Sequence, residues 1–405
     1  MLRLLCCFAS YLLVVRILRY RRVNAIRLKF SHDELANMTP WTAQQVVHES
    51  FLYDTPTLML LGTQIALFKV YGISSVASLL LRTGEMTSHT TINKRLADTA
   101  ILIATSVTNP LLGPGSGIEQ PPASCDPRSA LAIARINFLH RKYPISNDDF
   151  LYNLALFMIE PIRWTARFDW RPHSPLEVEA IFLLWTEVGR RMGIENIWST
   201  YEEMREWTER YETENMVPSD ASAQLAWTTI EHFLDRVPNW VPGFRSLIFQ
   251  LLLTVLDDRT RNAMRLPDPS PIMASFIYSM FKIRAFVVRH LCLPRSKPAL
   301  WVTLDSDFQV SDGVPRMRAV YRRRSGPWYF PEPKGMALKI QTLFIRLGII
   351  DAEKAPGKRW RSGGYRLEEV GPIKFEKEGH DIVMREAEKI QGSTITGPWG
   401  PVQTS

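Results

Sequence analysis

Cysteine is scarce in this chain: four residues among 405, at positions 6, 7, 125 and 292. Cys6 and Cys7 sit inside an apolar run, and no C-x-x-C or zinc-type spacing links the other two. That excludes a disulfide framework and a cysteine-built zinc site, and it suits a reducing, cytosolic setting. No internal repeat is present, so a solenoid or propeller array is excluded. Acidic residues are missing before Ser31, where Arg3, Arg16, Arg19, Arg21, Arg22, Arg27 and Lys29 fall. Those residues account for nearly all of the formal charge of +8, leaving a body close to neutral. A nucleic-acid footprint on the folded body is therefore not expected. A D-D-x-x-D cluster is lacking too. Residues 257–261 read DDRTR, without the third acid that the Mg²⁺-diphosphate site of a terpene-cyclase-like enzyme needs.

The N-terminus is apolar over residues 4–15, is interrupted by Arg16 and continues through Ile17 and Leu18. A full membrane span takes about 20 apolar residues, so this one is marginal. The basic residues follow the apolar run and no A-x-A-like cleavage site appears. Both features point away from a cleaved signal peptide and towards an uncleaved anchor over residues 1–29. The positive-inside rule puts its basic flank, and the body, in the cytosol. A segment lying in the interface or packed on the body is the alternative.

The rest is rich in bulky apolar side chains: 46% hydrophobic residues, with 12 Trp and 19 Phe. That is enough for a large core or an apolar pocket. The pattern is helical. LEVEAIFLLWTEVGRRMG follows Ser174-Pro175 and stops at Gly193, a cap, a first-turn proline and a C-terminal glycine. STYEEMREWTERYE opens with Ser199 and Glu202 at capping-box spacing. ISNDDFLYNLALFMIEPIRW is apolar on nearly every side, which predicts a buried helix with a kink at Pro161. IMASFIYSMFKIRAFVVRHLCL carries Lys282, Arg284 and Arg289, too many charges for a clear span, and reads as a core helix rather than a membrane-surface one. Only residues 299–330 look extended. The expected fold class is all-α. One large multi-helix domain spans residues 30–375, and a C-terminal helix with a tail disordered after Gly392 spans 376–405.

Two constellations carry chemistry. In ARINFLHRKYP, His140 ends an apolar helix opened by Asp126 and Pro127. A buried imidazole there needs a partner. A backbone carbonyl would serve, and so would a cofactor that takes a single protein ligand. No His or Cys lies at i+3 or i+4, so zinc is not signalled. In KRLADTAILI, the spacing of Arg95, Asp98 and Thr99 puts all three on one helix face. They form either a site beside apolar residues or a surface Arg95–Asp98 pair. Glu160 and Arg163 flank Pro161 and read either as site residues or as a buried ion pair. The other seven histidines lie in polar or peripheral contexts.

The fragments YGISSVASLLLRT, RLADT, ARINFLHRKY, ISNDDFLYNLALFMIEPIRW, FDWRP and LDDRTRNAMRLPDPSP resemble, in order, the fungal endoplasmic-reticulum-bound oxygenases of the MpaB type. That group is similar in turn to the bacterial latex-clearing rubber oxygenases. The resemblance covers roughly residues 45–375 and implies a globin-like core holding haem b, with His140 as the axial ligand of its iron. It implies a distal side where Arg95, Asp98 and Thr99 act on O₂, with Asp98 where the bacterial enzymes carry lysine. It also implies that the loop at 111–126 is an excursion from the core, and Asn137 is a candidate by spacing to orient His140. The expected activity is O₂-dependent oxidative cleavage of a prenyl-chain double bond in a lipophilic terpenoid or meroterpenoid. The expected location is the endoplasmic reticulum membrane, with the body facing the cytosol. A non-catalytic, membrane-tethered scaffold is the competing class.

Overall fold

A computed structural model describes residues 2–86, 88–235, 237, 242–300, 302, 309–311, 314–320, 328–347, 352 and 355–400. Helices dominate it, as an all-α class requires. Among the described residues the strands are Gln309–Ser311 and Val314–Arg316, an antiparallel pair inside the stretch expected to be extended. The chain divides into two compact units, one built from residues 1–86 and 145–299 and the other from 87–144 and 300–405.

In the first unit, Pro56–Lys69 packs along Asn147–Phe168, and Pro40–His48 packs along Pro175–Arg191. Gly62 lets the first pair approach closely, since a Cβ there would lie 2.5 Å from Pro161 Cα. The Asn147–Phe168 helix runs unbroken through Pro161 and is buried along most of its length. Ser174 caps the helix as expected, Glu177 completes a capping box with it, and Gly193 takes the left-handed conformation (φ +75°) just past the helix end. The next start lies one residue later than the spacing suggested. Thr200, not Ser199, accepts from Glu203 N–H (3.1 Å), while Ser199 N–H reaches the Glu203 carboxylate.

Two apolar segments of this unit face outwards. Leu2–Arg19 is a helix with Leu4, Leu5, Phe8, Leu13 and Ile17 exposed and Val15 buried. It is partly held on the body: Tyr11 OH donates to Leu291 O (2.8 Å) and Arg19 to Cys292 O. The second corrects the sequence reading. Pro271–His290 is not a core helix, since Ile277 is its one buried residue among those described. By length and composition it is also the one single helix among the described residues apolar enough to cross a membrane. Its charges misled because Arg284 turns inwards to Asp169 (3.3 Å) instead of breaking up the outer face.

In the second unit, Arg128–His140 is the central element, packed between His89–Thr108 and His380–Gln391. Ala97, Leu102, Leu131, Phe138, Leu367 and Val383 belong to its core cluster. The 111–126 loop is more than an excursion: Leu111 is fully buried. Gly113 presses against the end of the last helix, where a Cβ would meet Ile390 O at 2.4 Å. Residues 393–400 are ordered too, contrary to the expectation of a tail disordered after Gly392. Arg366 binds the carbonyls of Pro398, Trp399 and Gly400 and fastens them. Residues 401–405 lie outside the described residues.

Candidate functional site

Local capping sets the position of His140. Asp126 Oδ1 accepts from Arg128 N–H (3.0 Å) and holds the Arg128 side chain, so the helix starts at Arg128, one residue later than expected. One turn before the helix end, Arg135 is fully buried. Its guanidinium donates to the carbonyls of Val370 (2.7 Å), Phe375 (2.8 Å) and Glu378 (2.9 Å). A cation fully desolvated yet spent on carbonyls clamps the 370–378 segment to the His140 helix. Asn137 contributes to the same packing: its amide donates to Glu386 (2.7 Å), which Arg141 also binds. The Asn137 donor therefore serves helix packing.

His140 itself ends the helix. Desolvation, with the charge of Arg95 adding to it, pushes its pKa down to about 4. The imidazole is thus neutral at pH 7. Arg95 is half-buried on the helix that packs against the His140 helix, and its charge reaches His140.

Asp98 is oriented differently from the sequence reading. It is buried, and it pairs with Lys94 (2.9 Å), one turn earlier, instead of forming a surface pair with Arg95. Tyr329 OH donates to its other oxygen (2.7 Å). Lys94 Nζ also reaches Tyr329 OH (3.0 Å), Gly371 O (2.6 Å) and Glu376 (3.1 Å). Burial raises the Asp98 pKa to about 6, against the opposing pull of Lys94 and Tyr329. Burial and the Asp98 charge raise the Tyr329 phenol well above its usual value. Thr99 is half-buried on the same helix. Lys94 was legible in principle, at i,i+4 from Asp98. Tyr329 and Glu376 were not, because they arrive from more than 200 residues away.

Glu160 and Arg163 belong to a separate cluster in the first unit. Glu160 is fully buried, 2.7 Å from Arg163 and 3.5 Å from Lys69. Lys69 also meets Glu212 (2.7 Å) and Asp257 (2.9 Å). Desolvation opposes the Lys69 charge, but the three carboxylates override it and raise its pKa. The cluster ties together four segments and is a buried ion network rather than an open site. The acids of DDRTR are committed as well: Asp257 caps a helix through Thr260 N–H (2.9 Å), and Asp258 pairs with Arg261 (2.5 Å). Among the described residues no group of three or more His, Cys, Asp or Glu is arranged to hold a metal ion.

The sequence profile of the family described as ER-bound oxygenase mpaB/B'/rubber oxygenase, catalytic domain, matches residues 55–285, a stretch that holds both the Arg95 and the His140 helices. The chain belongs to this family. An ER-bound oxygenase mpaB' of Penicillium brevicompactum is 28% identical over 415 residues, covering 94% of this chain and 90% of the relative. An ER-bound oxygenase mpaB of Penicillium roqueforti (strain FM164) is 33% identical over 276 residues, covering 63% of this chain and 87% of the relative. The protein is thus an O₂-dependent oxidoreductase, and the scaffold alternative is set aside. In this oxygenase the matched family region supplies the Arg95 and His140 helices. Tyr329, Gly371 and Glu376 lie beyond it.

Proposed function

We propose that this oxygenase binds haem b through His140 and cleaves a prenyl-chain double bond of a lipophilic terpenoid or meroterpenoid at the endoplasmic reticulum membrane. The observation that carries the reading is a desolvated imidazole at the end of an apolar helix, held neutral by burial with the charge of Arg95 adding to it. The donor set fits a haem, which would ask the protein for little more than a single nitrogen ligand, and His140 would supply it. When bound, the haem would supply the site for O₂ activation. The packed His89–Thr108, Arg128–His140 and His380–Gln391 helices would form the globin-like core that the resemblance implies.

The chain's own residues have separable tasks. Burial and the charge of Arg95 keep His140 in the neutral form that would ligate the haem iron. Arg95 would supply fixed positive charge to O₂ held at the haem. Thr99 offers a hydroxyl one turn further along the same face. Asp98 holds a proton with a pKa near neutrality, and Lys94 and Tyr329 fix its orientation. Leu2–Arg19 keeps the enzyme where an apolar substrate partitions.

Cleavage of a C=C bond by O₂ gives two carbonyl groups, each taking one oxygen atom. Membranes holding the full-length protein, supplied with a prenylated aromatic under ¹⁸O₂, should yield shortened product with ¹⁸O in the new carbonyl. Shortened product without O₂, or an intact chain carrying only a hydroxyl, would contradict the cleavage reading.

A further inference from the structure

We propose that the Pro271–His290 helix is a second membrane-contact element, seated along the surface of a bilayer that carries anionic headgroups. It rests on the membrane-bound reading given above, which assigned membrane contact to the N-terminal helix.

The helix has two distinct sides. Its inner side is fixed to the protein. Ile277 is buried, Tyr278 OH donates to Thr254 O (3.1 Å), and Phe281 packs its ring on Trp164 and Phe168. Arg284 closes that side by pairing with Asp169. Its outer side is an apolar stripe: Ile272, Phe276, Met280, Ile283 and Phe286 recur at spacings of three and four, with Ile272 81% and Ile283 63% exposed. At 100° per residue these five fall on one face. A 20-residue helix is about 30 Å long, enough to cross a bilayer. Attached to the body along its inner side, this one lies flat on the surface instead.

Charge selects the occupant. Residues 271–300 contain no Asp or Glu, but they hold Lys282, Arg284, Arg289, Arg295 and Lys297. The N-terminal segment, equally free of acids before Ser31, meets the same end of the helix. Tyr11 binds Leu291 O, Arg19 binds Cys292 O and Arg22 binds Arg295 O (3.2 Å). Two adjoining apolar and basic segments match an anionic lipid surface. A second copy of the chain would set like charges against each other.

The test reconstitutes the full-length protein in phosphatidylcholine vesicles, with or without phosphatidylserine, containing a lipid photoreactive on its acyl chain. Adducts are then mapped by mass spectrometry. We expect adducts in both 2–19 and 272–286, with those in 272–286 falling when phosphatidylserine is omitted. The double variant Ile283→Asp, Phe286→Asp alters exposed positions only. It should cut the 272–286 adducts by about tenfold or more while sparing those at the N-terminus. Adducts confined to 2–19 would overturn this inference and leave the membrane-bound reading standing. Adducts in neither segment would overturn both. Copy-to-copy crosslinks through residues 272–286 in the absence of lipid would overturn it in favour of a self-association face.

Discussion

The side chains around His140 divide into groups that act through charge and groups that hold the frame. Arg95 is in the first class: its charge reaches His140. Arg95→Ala should therefore lower turnover by about 100-fold or more, the usual loss when a preorganised charge is removed from a dry site. Its stability cost should stay below about 1 kcal/mol. Unchanged turnover would place Arg95 outside the reaction. Asp98 belongs partly to the second class, because Lys94 and Tyr329 lock it between the first helix of the unit and a distant segment. Its folded pKa, about 6, lies above its unfolded value of 3.8. The protonated form thus favours folding fully below about pH 4, and that contribution fades as pH rises through about 6. The fading amounts to about 3 kcal/mol at most. Thermal unfolding of wild type followed from pH 4 to 7 should show this decline, and Asp98→Asn should flatten it. Equal slopes in the two proteins would show that Asp98 ionises freely. Sequence spacing placed Arg95, Asp98 and Thr99 on one face, and that placement holds. It could not say that Asp98 leans back to Lys94 rather than forward to Arg95, because the choice is made by Tyr329, Gly371 and Glu376.

Local signals proved reliable for the elements when they were self-contained, and less so when a distant partner decided. Ser174, Pro175, Glu177 and Gly193 mark a helix start and stop that depend on nothing outside it. Thr200 displaced Ser199 as a cap because adjacent Ser and Thr offer the same hydroxyl chemistry one residue apart. The Pro271–His290 helix was misread because the side on which Arg284 lies depends on Asp169, more than 100 residues away. The crossing of Pro56–Lys69 over Asn147–Phe168 is likewise invisible in sequence, and it hangs on Gly62. A methyl group there would meet Pro161 Cα at 2.5 Å, Pro161 N at 2.6 Å and Glu160 C at 2.9 Å, all backbone. Gly62→Ala gains about 1 kcal/mol of helix propensity. The overpacking it forces costs about 1–3 kcal/mol and more where backbone cannot yield. The variant should therefore melt at a lower temperature than wild type. A higher melting temperature would mean that the helices separate easily at this crossing.

For the molecule as a whole, membrane attachment and cofactor chemistry are the two proposed properties that the sequence signals only indirectly. The proposed orientation, with the body in the cytosol, rests on the basic flank that follows residues 4–15. In sealed microsomes a C-terminal epitope should be destroyed by added protease without detergent, and the protein should resist alkaline carbonate extraction. Protection of the epitope until detergent is added would reverse the orientation. The cofactor rests on one residue. Nothing in composition distinguishes His140 from a core histidine, and only the ordered set of fragments shared with a family of oxygenases raised it above the other seven. The structure adds what the fragments lack: a desolvated, neutral ring that the charge of Arg95 reaches, on a helix clamped at Arg135. The visible absorption spectrum of the purified full-length protein, compared with His140→Ala, tests this most directly. Wild type should show a Soret band at about 400–415 nm, and His140→Ala should lose it while keeping the same far-ultraviolet helical signal. A wild-type protein with turnover but no such band, or a His140→Ala protein that retains it unchanged, would contradict the assignment.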